Sequence, residues 1–326
     1  MKFSRCRVCD KKDGSFEEIV ARDYFTGSKE PYVYFLCKRC KSLSIGRVPG
    51  NLNTLYKNYY SFSDHEEFSW LRIFFYKMLL RGSSLTQTIA SCFLKSQFDL
   101  SVKSLAPLGL NSQSKILDVG CGAGRLVSLL HKLGFSECYG IDPFLQKIKL
   151  PKMRTFLKRK DFFEVSDRFD LVMFHHVFEH FTNLKEVIAH LSNILLPGGR
   201  CVIRVPNINS YSFKRFKSNW FSIHAPFHFA LPSKVGLEYL LKNTDLRIEK
   251  TKGEQLVEFF LYSIAHELGV SDYEPHGNRR FLESNKLNKI PPLHTKMELK
   301  ELKQRFLQVK KYNFCDWIVY YLRKDS

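Results

Sequence analysis

The chain has 326 residues, of which 44% are apolar and 25% charged, and its 51 lysines and arginines against 32 acids give a formal charge of +19. That length and mix exclude a peptide tail, a disulfide-stapled miniprotein and wholesale disorder, and leave room for about two domains. The charge favours a polyanionic partner, whether RNA, an anionic membrane face or a phosphorylated sugar carrier, without choosing among them.

The first ten residues carry Lys2, Arg5 and Arg7 and no apolar core, so no cleavable leader is expected. The most apolar run, Phe68 to Leu80, is interrupted by Arg72 and Lys77 and falls short of the roughly 20 residues that a bilayer requires. The expectation is a cytoplasmic protein, soluble or peripherally attached. In that compartment the nine cysteines suit thiols or metal ligands rather than disulfides.

Four of the nine form two pairs, Cys6-Arg7-Val8-Cys9 and Cys37-Lys38-Arg39-Cys40, separated by 27 residues. Two residues between thiols let one tight turn aim both sulfurs at one ion, and two such turns complete a tetrahedral shell. Tyr32 to Leu36 reads as a strand leading into the second pair. This is the layout of a zinc ribbon, expected over 1–45, and its closed four-cysteine shell makes the zinc structural rather than catalytic. Over 46–110 no strand pattern occurs. Trp70, Ile73, Phe74, Lys77 and Met78 fall at helical spacing, which predicts a connector helix with one apolar face; Arg72, Lys77 and Arg81 also suit a membrane-surface helix.

From 111 to 250 short apolar runs alternate with helical periodicity. Lys115 to Val119 predicts a strand, Leu126 to Leu133 a helix closed by Gly134, Cys138 to Asp142 a strand and Phe169 to Phe174 another. Leu184 to Leu195 predicts a helix stopped at Leu196-Pro197-Gly198-Gly199, and Cys201 to Val205 a further buried strand. The fold class is α/β, a Rossmann-like and mostly parallel sheet covered on both faces. The remaining 251–326 reads as a basic, helical extension containing Lys300, Lys303, Arg305, Lys310 and Lys311.

The sharpest chemistry sits at Asp118-Val119-Gly120-Cys121-Gly122-Ala123-Gly124, where a strand turns into a helix and glycines let a ligand lie against the backbone. A dinucleotide loop reads GxGxxG around a pyrophosphate. This one reads GxGxG behind an acid, which would repel pyrophosphate and suit a cationic amino acid. Asp142 ends the next strand, 22 residues after Gly120, near the distance of about 20 expected for an acid gripping ribose hydroxyls. Taken with Phe169-Asp170-Leu171-Val172 and Leu196-Pro197-Gly198-Gly199, these motifs resemble the class I S-adenosylmethionine-dependent methyltransferases over roughly Ser114 to Lys250.

The resemblance implies S-adenosylmethionine as cofactor. It implies that Gly120, Gly122 and Gly124 line its methionine portion, Asp118 neighbours its amino group and Asp142 binds its ribose. Asp161 stands where an acid contacts the adenine amine, and Phe162 either stacks on the ring or belongs to the core. Pro143 to Met153 is short and contains Pro151, so the usual helix there is expected to be truncated.

After the fourth strand the chain reads His175-His176-Val177-Phe178-Glu179-His180, with no Asn/Asp-Pro-Pro-Tyr/Phe motif of the amine-directed enzymes. Histidine has the best-matched pKa for taking a proton from a hydroxyl. His180 and His228 are the first candidates for the base, then His176, with His175 placed on the cofactor side. The cysteine ribbon, Glu179-His180 and the Trp220-to-His228 segment together resemble a bacterial branch associated with surface-polysaccharide and natural-product glycans. That implies O-methylation of a glycan or sugar-derived small molecule, phosphate-bearing or lipid-linked. Sugar C-methyltransferases carry a longer domain behind the core, which also points to oxygen. The rival readings are an RNA methyltransferase gripping nucleic acid through ribbon and basic tail, and a non-catalytic zinc-stabilised binding protein.

Overall fold

At the front of the chain, period-two burial turns Ile19 and Ala21 inward along β1, Phe16–Arg22. This strand pairs antiparallel with β2, Pro31–Cys37, from Phe16 opposite Cys37 to Arg22 opposite Pro31. β3, Leu43–Ile45, continues the sheet. The strand expected before the second cysteine pair is thus β2. The computed structural model describes residues 5–12, 15–50, 68–145, 153, 155–255, 257–267, 269 and 315–326.

Three helices follow, α1 Trp70–Arg81, α2 Ser84–Phe93 and α3 Gln97–Lys103, each preceded by an extended serine at its N-cap. The connector is helical as expected, but α1 buries a different stripe. Tyr76, Leu79 and Leu80 face inward while Trp70 is 78% exposed. Periodicity gave the helix and not its rotation, which is set by Tyr76 and Arg72 hydrogen-bonding to the buried Asp99 of α3 at 2.5 and 2.6 Å.

The body runs through β4 Ile116–Val119, α4 Arg125–Lys132, β5 Cys138–Ile141, β6 Leu157–Lys158, β7 Phe169–His175, α5 Leu184–Ile194 and β8 Leu195–Pro206. It continues with α6 Tyr211–Phe216, β9 Ala230–Leu231, α7 Lys234–Leu241, β10 Leu246–Glu254, α8 Val257–Glu267 and β11 Trp317–Lys324. The main sheet has the order β10-β11-β8-β7-β4-β5-β6, parallel from β8 to β6, with α1 to α4 packed on one face and α5 and α7 on the other. The α/β sheet of the sequence reading is the fold observed. Pro143 to Met153, where a truncated helix was expected, falls largely outside the described residues.

Two elements cross the expected domain boundaries. β11 lies antiparallel between β10 and β8, so the described part of 251–326 is helix at Val257–Glu267 and sheet at its end, with Trp317, Val319, Tyr320, Tyr321 and Leu322 buried. The basic stretch 300–311 that suggested a helix lies outside the described residues. β9 pairs with β3, placing Leu231 opposite Leu43, and thereby joins the ribbon to the body. Ser233, the N-cap of α7, seals that join: its hydroxyl donates to the Cys40 carbonyl and its N–H to Ser42 Oγ at 3.1 Å.

The chain leaves β4 outward through β5 and β6, then returns to lay β7 on β4's other side. Loops following β4 and β7 therefore meet at the point where strand order reverses, which is where open α/β sheets bind ligands.

Candidate active site at the sheet switch point

The loop after β4 turns through Gly120, Gly122 and Gly124 at φ of +66°, +54° and +80°, a region that side chains disfavour. A Cβ on Gly120 would lie 2.4 Å from Val177 Cγ2, and one on Gly124 2.3 Å from Leu157 Cδ1. These two glycines are thus demanded by packing against the β7 loop and β6, a reason beyond the ligand lining read from sequence. Gly122 donates its N–H to Asp142 Oδ2 at 3.1 Å, and Asp142 Oδ1 accepts from Phe144 N–H at 2.8 Å. Burial raises the Asp142 carboxyl above its ordinary range. Asp118 is 4% exposed, and burial, reinforced by the charge of Asp142, pushes its carboxyl up to about 8. Two buried carboxyls beside a glycine turn fit a ligand that is cationic at one end and carries hydroxyls at the other.

The other cofactor candidates fare differently. Asp161 is exposed and caps its own short turn, accepting from Phe163 N–H at 2.9 Å. Phe162 belongs to the core, edge-on to Phe174, Phe181 and His190, which removes it as a stacking platform; its neighbour Phe163 is the ring 43% exposed. His175, at the end of β7, has both ring nitrogens buried without a hydrogen-bond partner among the described residues, and burial followed by the charge of Arg204 pushes it down to about 3.

The β7 loop gathers the expected bases around a residue that the sequence reading left unassigned. Glu179 is fully buried, neither carboxyl oxygen has a hydrogen bond among the described residues, and burial pushes the group up to about 8. Its Oε1 lies 3.4 Å from His176 Nδ1 and 3.8 Å from His228 Nε2. Arg204 Nη1 donates to His176 Nε2 at 2.7 Å. The His176 proton therefore sits on Nδ1, facing Glu179, and this ring is a donor rather than a base. Burial, followed by the Arg204 charge, holds His176 well below the usual range. Arg204 is itself fully buried, bonded to Glu254 at 2.6 Å and lying 4.1 Å over the Trp317 ring. A lone arginine inside the apolar run Cys201 to Val205 was the available signal for this network.

His228 Nδ1 donates to the Ser222 carbonyl at 2.9 Å, which leaves Nε2 as an acceptor pointed at Glu179. His180 Nδ1 donates to the Phe227 carbonyl at 2.8 Å, and its ring centroid is 4.9 Å from that of His228. Burial pushes His180 down to about 4 and His228 well below its ordinary value, so both are neutral near pH 7. The structure thus brings His176, Glu179, His180 and His228 together. The ribbon holds the segment leading into β9 in place: Tyr34 of β2 donates to the His228 carbonyl at 3.1 Å, and the Phe229 carbonyl accepts from Ile45 N–H at 2.9 Å.

In the ribbon, Cys6 Sγ lies 3.7 Å from Cys40 Sγ and Cys9 Sγ 3.8 Å from Cys37 Sγ. Disulfides require about 2.05 Å. Zinc–sulfur bonds of about 2.3 Å place tetrahedral neighbours roughly 3.8 Å apart, so the four thiols fit zinc.

Residues 93–251, just under half of the chain, match a family described as a methyltransferase domain. That stretch is a methyltransferase domain. Among curated proteins the methyltransferase domain is similar to a ubiquinone biosynthesis O-methyltransferase of Bradyrhizobium sp., 31% identical over 36% of this chain and 48% of that protein. It is also similar to the mitochondrial ubiquinone biosynthesis O-methyltransferase of Rattus norvegicus, 34% identical over 31% of this chain and 33% of that protein. The chain spans about half the length or less of these relatives. A solved SAM-dependent methyltransferase from Archaeoglobus fulgidus aligns over 79% of this chain and all of its own, at 18% identity and a TM-score of 0.43.

Proposed function

We propose that the protein is an S-adenosylmethionine-dependent O-methyltransferase acting on a hydroxyl of a sugar-derived small molecule. The observation that carries this reading is the meeting, at the switch point, of a glycine turn with two buried acids and a loop that holds the orphaned carboxyl of Glu179 against His228. When bound, the cofactor supplies a methyl group activated on a sulfonium. Asp118 would face its amino group, Asp142 its ribose hydroxyls, and Gly122 the intervening backbone approach.

The protein's own contribution is alignment and a proton path. An acceptor hydroxyl presented to His228 Nε2 loses its proton to that nitrogen, and ionised Glu179 stabilises the resulting imidazolium. His176 Nδ1–H faces the same Glu179 oxygen, Oε1, at 3.4 Å and is placed to orient the carboxylate once it ionises. His180 buttresses the His228 ring. The names of the relatives support oxygen as the receiving atom, and the formal charge of +19 supports a phosphate-bearing acceptor. Transfer of labelled methyl from S-adenosylmethionine into cell extract fractionated into lipid, sugar and RNA pools tests the assignment. Label in the sugar-containing fraction is expected, and label confined to RNA refutes it.

A further inference from the structure

Six of the ten large hydrophobic side chains exposed among the described residues belong to α1 and α2: Trp70, Leu71, Phe74, Leu85, Ile89 and Phe93. They form one surface, because α1 and α2 pack as a hairpin in which Phe75 stacks on Phe93 at 4.6 Å and contacts Phe74 at 5.7 Å. A clustered apolar surface of this kind marks an interaction site. Its charge is one-signed: residues 68–95 contain four lysines and arginines and no acid. Arg72 is committed to Asp99 and Arg81 lies over the Phe135 ring, while Lys77 and Lys95 are exposed in the same stretch as the apolar side chains.

We infer that this hairpin is a docking surface for an anionic lipid bilayer, lying in the interface with its aromatic and leucine side chains inserted and its cations among the headgroups. Charge decides the occupant. A second copy would bring the same exposed cations against these, whereas an anionic headgroup layer complements them. No helix among the described residues is long and apolar enough to cross a membrane, so the contact is peripheral. Phe68, two residues before α1, lies beneath Arg125, the first residue of α4 after Gly124. Docking would therefore set the start of α1 and the glycine turn close to the lipid surface.

Co-sedimentation of the full chain with phosphatidylcholine vesicles, with and without phosphatidylglycerol, tests this. Binding is expected only with the anionic lipid, weakening as salt rises. Trp220 and Trp317 are buried, so a blue shift of indole emission on binding reports Trp70 and should vanish in Trp70→Phe. Replacing exposed Lys77 and Lys95 together with glutamine should lower vesicle affinity roughly thirtyfold and leave thermal unfolding unchanged. Phe74→Ser with Phe93→Ser should abolish the binding. Absence of vesicle binding overturns the inference, as does binding indifferent to these substitutions. Self-association or capture of an acidic protein through this face, without lipid binding, would reassign it and equally overturn the proposal.

Discussion

The buried carboxyl of Asp118 gives the cofactor site a measurable signature. With its ionisation pushed up to about 8, this group is protonated in the free protein at neutral pH, and a ligand ammonium beside it requires the carboxylate. Binding should therefore expel a proton, and affinity should rise with pH until about 8. The ionised fraction of a group with that pKa is roughly 1% at pH 6.0 and roughly 24% at pH 7.5, so the association constant should rise about twentyfold across this interval. Titration calorimetry with S-adenosylhomocysteine, in buffers of different ionisation enthalpy, reads both the affinity and the proton count. About one proton should be released per ligand bound at pH 6.0. Asp118→Asn should bind weakly and with little pH dependence. Equal affinity at both pH values with no proton released would refute the placement of Asp118 against the amino group.

Glu179→Gln should reduce turnover on the order of 10²- to 10⁴-fold while leaving S-adenosylhomocysteine affinity intact, measured by labelled methyl transfer and calorimetry. Because Glu179 acts when ionised and its pKa is pushed up to about 8, wild-type turnover should climb as pH rises towards 8 and fall below it. Gly124→Ala should cost about 2–5 kcal/mol in urea unfolding, combining a left-handed alanine with overlap on Leu157. Metal analysis should find about one zinc per chain. Cys9→Ser should lower both the melting temperature and the turnover, because the ribbon's Tyr34 holds the carbonyl of His228; unchanged turnover in a metal-free protein would separate the two sites.

Four of the five parallel strands were readable because each contains a short apolar run, as at Ile116 to Val119, whereas β6, Leu157–Lys158, is too short to carry a pattern. β11 was obscured by the lysine-rich segment before it, although Trp317 to Leu322 is itself a buried aromatic and β-branched run. β9 could not be read at all: two residues carry no period, and their pairing with β3 is set by tertiary contact. In the site, glycines and acids at fixed spacing announced the cradle. The histidines announced a cluster but not its centre, since the role of Glu179 depends on its complete burial and on rings contributed nearly 50 residues later. Phe162 and Phe163 are adjacent and chemically identical, so only the packed structure tells which one is core.

The placement of β11 has a consequence for how the molecule is made. Its position between β8 and β10 belongs to a segment that leaves the ribosome more than 100 residues after β8 ends. Until then β8 presents an unpaired edge during synthesis, and Arg204 lacks the indole that covers it. The nascent body must wait with an open seam, the state most exposed to chaperone capture or intermolecular strand pairing.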